Sequence, residues 1–153
     1  MLVIGIDPGI SGGLAFISEN EVKAVKMPET ERDIWDCINA EIQKCKYWKD
    51  ILIIIEKVHA FPGKQGISST WKFAQNYGFL RGLVVALECQ LIDISPQKWM
   101  KEFVITSSKG KTKTQHKNEL KQKAQQFFPQ LKITLATSDA LLLALWGKIY
   151  ATK

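Results

Sequence analysis

Two aliphatic runs, each closed by an acid, constrain this chain most: Leu2-Val3-Ile4-Gly5-Ile6-Asp7 and Ile51-Leu52-Ile53-Ile54-Ile55-Glu56. The second is apolar at successive rather than alternate positions, so both faces of the strand it forms must be covered. That is the mark of a central strand in an α/β fold with helices on both sides. If the two strands are parallel neighbours, Asp7 and Glu56 emerge at the same carboxyl edge, where open α/β sheets build their sites. A carboxylate directly after such a run is costly if buried without a partner. Two close carboxylates cannot both ionise without compensation, and a cation between them is the economical one. Mg²⁺, a hard ion that takes carboxylate oxygens and keeps several waters, suits that place. Taken singly, either acid also reads as an ordinary solvated strand end.

The remaining pattern extends the α/β reading. Pro8-Gly9 and Gly12-Gly13 punctuate a turn, and Leu14 to Ser18 and Glu21 to Met27 read as a hairpin. Ile34, Trp35, Ile38 and Ile42 recur at helical spacing within a helix over Pro28 to Lys46. A long helix is expected over Ser69 to Glu88, with Gly78 and Gly82 for close packing and Trp71, Phe73 and Tyr77 as core or dimer contacts. Leu91 to Ile94 reads as a strand, and Pro96 starts a short helix to Glu102. Thr106 to His116 has no apolar pattern and reads as a loop; Lys117 to Phe128 and Ser138 to Tyr150 read as helices, the last with Ser138 as N-cap. The whole is a mixed sheet with a parallel core in one domain, residues 1–153, without an internal boundary.

Composition narrows the function. With 153 residues and 46% hydrophobic content the chain can bury a core without disulfides or a structural metal. The odd set Cys37, Cys45 and Cys89 matches no zinc spacing and reads as reduced thiols in a cytosolic protein. A basic leader is missing, and no stretch approaches the roughly 18 apolar residues of a membrane span. A soluble, cytoplasmic protein without a membrane partner is therefore expected. The net charge of +6 favours a polyanionic partner. Lys98, Lys101, Lys109, Lys111, Lys113, Lys117, Lys121 and Lys123 cluster in one stretch opposed only by Glu102 and Glu119. Its Ser, Thr, Gly and Lys content between Thr106 and His116 suits a clamp for phosphates. Lys57 and Lys64 flank His59 and Phe61, and an aromatic there can stack on an unpaired base. His59 and His116 are the only histidines and stand in no nucleophile–base pattern, which disfavours covalent catalysis. A third acid, Asp139, opens the apolar helix Ala140 to Trp146; alone it reads as a first-turn acid favoured by the helix dipole.

Three separated motifs then act together. Gly5-Ile6-Asp7-Pro8-Gly9, the strand end Ile55-Glu56 and Ser138-Asp139-Ala140-Leu141-Leu142-Leu143-Ala144 resemble the RuvC family of Holliday junction resolvases, in the same order and with the basic segment between the last two. Glu56-Lys57-Val58-His59-Ala60-Phe61-Pro62-Gly63 with Ser68-Ser69 most resembles its short phage-type members. The resemblance implies an α/β, RNase H-like fold, a five-stranded mixed sheet with helices on both faces. It implies a homodimer acting on four-way junction or other branched DNA, inside a bacterial host cell if phage-encoded. It also implies Mg²⁺-dependent phosphodiester hydrolysis with two ions per site, Mn²⁺ able to substitute, and Asp7, Glu56 and Asp139 as ligands. Lysines of the basic segment approach the cleaved strand in that family, which makes Lys111, Lys113 and Lys117 candidates for catalysis and Lys109 and Lys121 for DNA contact. The family's aromatic wedge falls at His59, with Phe61 two residues on.

One position departs from the family pattern. The fourth ligand, an Asp or His three residues before the last aspartate, is Ala136 here, which cannot bind metal. Three explanations stand open: an introduced inactivating substitution, a natural use of another group such as Asp93, or a local offset of one residue. Besides the nuclease, two readings compete. A catalytically dead junction-binding module shares the fold and draws on Ala136. An actin-like or heat-shock-type ATPase shares the opening Asp-Pro-Gly turn but needs two domains, for which the chain is too short.

Overall fold

The computed structural model describes residues 1–58, 66–105 and 110–151. Strands β1 (Leu2–Asp7), β2 (Gly13–Ile17), β3 (Val22–Lys26), β4 (Ile51–Glu56) and β5 (Gln90–Ile94) form one sheet in the order β3-β2-β1-β4-β5. The first three strands pair antiparallel through short turns, whereas β4 joins β1, and β5 joins β4, in parallel. Each parallel step needs a crossover. Helix α1 (Glu31–Ile42) lies between β3 and β4, and α2 (Ile67–Ala86) between β4 and β5. Then follow α3 (Pro96–Glu102), α4 (Lys113–Phe127) and α5 (Ser138–Trp146).

Period-two alternation sorts the strands into two apolar layers. Ile4, Ile6, Leu14, Phe16, Ile53 and Ile55 pack under α1 and α2 with Ile34, Ile38, Leu80 and Leu83. Val3, Ala15, Ile17, Leu52, Ile54 and Ile94 face α3, α4 and α5 with Trp99, Phe103, Leu120 and Leu141. The expected five-stranded mixed sheet with helices on both faces is thus the observed one. The unbroken aliphatic run of β4 reflects two covered faces, as expected of a parallel strand. α5 is apolar on all sides because it is buried on all sides, against β1, β2 and α4. Gly5 lets it sit there: a Cβ at that position would fall 2.2 Å from the Ala140 carbonyl oxygen and 2.5 Å from the Ala144 nitrogen.

Local expectations shift at the helix boundaries. Lys113 to His116, expected within a loop, is the first turn of α4, because Thr112 and Gln115 form a reciprocal capping box. α2 starts at Ile67 rather than Ser69, and α1 starts at Glu31 after its N-cap Thr30, whose hydroxyl accepts from the Asp33 N–H. The N-cap of α5 is Thr137, not Ser138; the Ser138 hydroxyl donates to the Asp139 carboxylate instead. α5 ends at Trp146 and continues as a π-helical turn, Gly147–Ala151. Gly78 and Gly82 face open space rather than a packed neighbour, and Trp71 is 66% exposed rather than in the core. No described helix is long and apolar enough to cross a membrane.

Because the atoms a Gly5 methyl would meet are backbone, they cannot rotate away. Gly5→Ala is therefore expected to destabilise the chain by about 3 kcal/mol, the upper part of the overpacking range. Urea unfolding reads the effect, and wild-type stability would show that α5 is not seated on β1 at this closeness.

Candidate functional site

The site begins with strand register. Ile6 pairs with Ile55 across the parallel β1–β4 ladder, so Asp7 and Glu56 are the next residues on each strand. Side chains alternate faces, so both leave the α1–α2 layer that holds Ile6 and Ile55 and turn to the α5 face. α5 brings Asp139 there in its first turn, and α4 brings Lys117. The Lys117 ammonium donates to Asp139 Oδ2 and lies 3.8 Å from Asp7 Oδ2. Asp139 is held on its other oxygen by the Ser138 hydroxyl at 2.8 Å. Glu56 Oε1 accepts from the indole N–H of Trp99 at 3.0 Å. Asp7 and Asp139 are buried, and Glu56 is half-buried.

The Lys117 ammonium thus touches Asp7 and Asp139 and faces the charge of Glu56, and the protonation of Asp7 and Glu56 records the imbalance. Burial, with the charges of Asp139 and Glu56 adding to it, holds the Asp7 carboxyl well above the usual carboxylate range despite Lys117. Burial pushes Glu56 up to about 7, against the opposing pull of the Trp99 hydrogen bond. Burial works against the charge of Lys117, but Asp139, Asp7 and Glu56 outweigh it and leave the lysine above its ordinary value.

A cation-rich ligand fits this donor set: hard oxygens, buried, in charge excess. Among the described residues no group of three His, Cys, Asp or Glu side chains is arranged to hold a metal ion; the Lys117 ammonium is engaged with Asp139 and Asp7. Ala136 lies in the turn before α5, where its carbonyl oxygen would be 2.4 Å from a Cβ on Gly13, the cross-strand partner of Asp7. The position predicted for a fourth ligand therefore neighbours Asp7, and its methyl group supplies no donor. Asp93 does not replace it. Glu56 pairs with Ile94, so Asp93 points to the opposite face, where Arg81 forms an ion pair with it and the Tyr77 hydroxyl lies 3.5 Å away.

The loop after Asp7 is held from the far side of the sheet. The Gly9 N–H donates to Asn76 Oδ1 of α2 at 2.8 Å, and Gly9 takes a positive φ of 102° that favours glycine. A Cβ there would press on the Phe73 ring, 3.0 and 3.1 Å from two of its atoms. Neither Asn76, Ser138 nor Trp99 was marked as a site neighbour by the sequence. Their contacts span 67, 1 and 43 residues, and only the Ser138-Asp139 adjacency could have been read beforehand.

The basic candidates separate. Lys117 joins the acids, and Lys121 follows one turn later on the same side of α4. Lys113 is exposed in the first turn of α4, and Lys57 is exposed directly after β4. Lys111 is paired with Glu119. His59, Phe61, Lys64 and Lys109 lie outside the described residues.

The elevated Glu56 carboxyl has a thermodynamic consequence. Between its ordinary value of 4.5 and about 7 the folded chain holds a proton that the unfolded chain has released, so stability falls as pH rises through that window. Without divalent ions, the Glu56 contribution to wild-type stability is expected to fall from pH 4.5 to about 7, in the same direction as that of the raised Asp7 carboxyl. Glu56→Gln, which has no proton to release, is expected to show a shallower slope and to exceed wild type at pH 8 in urea unfolding. Equal slopes would mean that Glu56 titrates normally.

No protein-family model matches the sequence, and no curated protein matches it. Solved structures do. RuvC from Thermus thermophilus, in complex with a Holliday junction substrate, superposes with a TM-score of 0.63 at 16% identity, covering 99% of this chain and 96% of that one. A second structure of Thermus thermophilus RuvC gives 0.63 at 17% over the same extents. The yeast mitochondrial Holliday junction resolvase Ydc2 gives 0.50 at 18%, covering 93% of this chain and 75% of that one. Nearly the whole chain therefore has the RNase H-like fold of the RuvC resolvases.

Proposed function

We propose that this chain is a structure-selective endonuclease that resolves Holliday junctions and other branched DNA by divalent-metal-dependent phosphodiester hydrolysis, residues 1–153 forming one nuclease domain. The observation that carries the reading is the meeting of Asp7, Glu56 and Asp139 around Lys117 at one rim of a RuvC-like fold. These acids come from positions far apart in sequence, and a merely structural role does not account for gathering three carboxylates on one ammonium. In this reading Asp7, Glu56 and Asp139 hold Mg²⁺ ions, with Mn²⁺ as a substitute. Held by these residues, a pair of ions would supply activation of a water and charge stabilisation of a leaving oxygen.

The protein's own groups do the rest. The cluster around Lys117 is partly closed to water, which strengthens each charge–charge interaction inside it. Lys117 supplies a cation beside the scissile phosphate. Lys57, Lys113 and Lys121, with Lys111 and the segments carrying His59, Phe61, Lys64 and Lys109, grip backbone and junction; such contacts position DNA without reading sequence. Paired cuts need two sites, and the exposed side of α2 supports a homodimer. Ile67, Trp71 and Val85 are 91, 66 and 73% exposed there, beside Gly78 and Gly82, where helices can approach closely. Action in the cytoplasm belongs to the same proposal.

Ala136 favours a second reading, a junction-binding protein whose cutting is impaired. The two separate on a labelled synthetic four-way junction with Mg²⁺ or Mn²⁺. The nuclease reading expects paired nicks that Asp7→Asn or Asp139→Asn lowers about a hundredfold without weakening junction binding, because each change removes a negative charge near phosphate. Ala136→Asp is expected to raise cleavage about tenfold or more by restoring a donor. Binding with no cleavage in either variant or metal would leave only the binding module.

Binding itself should depend steeply on salt. Lys113→Ala and Lys121→Ala are each expected to flatten the plot of log K against log salt by about 0.9, one phosphate contact apiece. An unchanged slope would remove those lysines from the interface.

A further inference from the structure

We infer that Trp99 is a positioning residue for Glu56: its indole N–H grips Oε1 and so sets the direction of the carboxylate toward a divalent cation. The inference rests on the metal-dependent reading above and names a residue of α3 that the acidic constellation does not include. Trp99 is 1% exposed and stacks edge-on against Phe103, with ring centroids 6.5 Å apart. Its backbone N–H bonds the Ser95 carbonyl at the start of α3. The indole is therefore immobile, and its donor is aimed before any ligand arrives. Indole nitrogen donates only; it neither binds a cation nor titrates, so it acts on the site through the carboxylate oxygen it holds. Among the described residues Glu56 Oε2 takes no hydrogen bond, which leaves that oxygen for a cation.

Burying a tryptophan does not by itself require such a partner here. Trp146, buried in the same core, leaves its indole nitrogen without one among the described residues. The partner of Trp99 is a half-buried acid 43 residues earlier, at the end of a different element. Groups that orient metal-binding carboxylates this way typically matter about 10–100-fold in metal affinity.

Trp99→Phe deletes the N–H while keeping an aromatic ring in the core. Titration calorimetry of the intact protein with Mg²⁺ and with Mn²⁺ is expected to show affinity about tenfold weaker in Trp99→Phe. Binding of a four-way junction in EDTA should not change. Phe103→Leu, in the same cluster but without contact to Glu56, is expected to lower the melting temperature and leave metal affinity alone. Wild-type metal affinity in Trp99→Phe, or an equal loss in Phe103→Leu, overturns the inference and leaves Trp99 a core filler. A wild type that binds neither metal overturns the metal-dependent reading and this inference together. Should Trp99→Phe not fold, the indole ¹H–¹⁵N signal of Trp99 in wild type decides. It is expected to shift as Mg²⁺ is added and to stay fixed in Glu56→Gln; a signal unmoved by saturating Mg²⁺ in wild type overturns the inference.

Discussion

Parallel pairing of β1 with β4 in one register holds the rest of the site together. With Ile6 opposite Ile55, the next residues on both strands are acids that turn to the same face. A slip of one residue would send one of them into the opposite apolar layer, among Ile53 and Ile55, at a cost that a small domain could not absorb. The aliphatic side chains on both faces thus do more than fill the core. They lock the register that brings two carboxylates side by side, and α5 can deliver the third only because Gly5 leaves its place on β1 empty.

The result is an electrostatic arrangement that is poor for stability. Three acids gather where water is scarce, and one lysine answers them. The raised carboxyls of Asp7 and Glu56 express that deficit directly. Strain of this kind is expected where a fold keeps charge in place for a ligand rather than for itself. The supports around it fit that view. Ser138 holds Asp139 and Trp99 holds Glu56, while Asn76 reaches from α2 to the backbone just beyond Asp7. Each acid therefore has a neighbour that limits its motion, and the three neighbours come from different helices.

Asn76 also ties the site to the outer surface. It sits on the helix whose opposite side carries exposed Trp71 and Val85, so one element links the backbone after Asp7 with an exposed apolar face. Fold likeness to RuvC at 16–17% identity shows how few identical positions such a fold needs. Most other positions need only be apolar or polar in the right period, which sequence comparison registers poorly.

The sequence by itself determined the central strands, the two-sided cover, the three acids and the basic stretch, because hydrophobic period and charge are local properties of the chain. It also carried the capping box of Thr112 and Gln115, a signal that the loop reading over Thr106 to His116 passed over. Only the tertiary structure decided which side chains meet. That Asp93 belongs to Arg81 and not to the acids follows from the face it takes in β5, which depends on pairing with β4. That Lys117, rather than Lys111 or Lys113, reaches the carboxylates follows from where capping starts α4 and how α4 lies on α5. That Trp99 touches Glu56 follows from packing across 43 residues. Such contacts are set by the closing of distant elements on a shared core, and no window along the chain contains both partners.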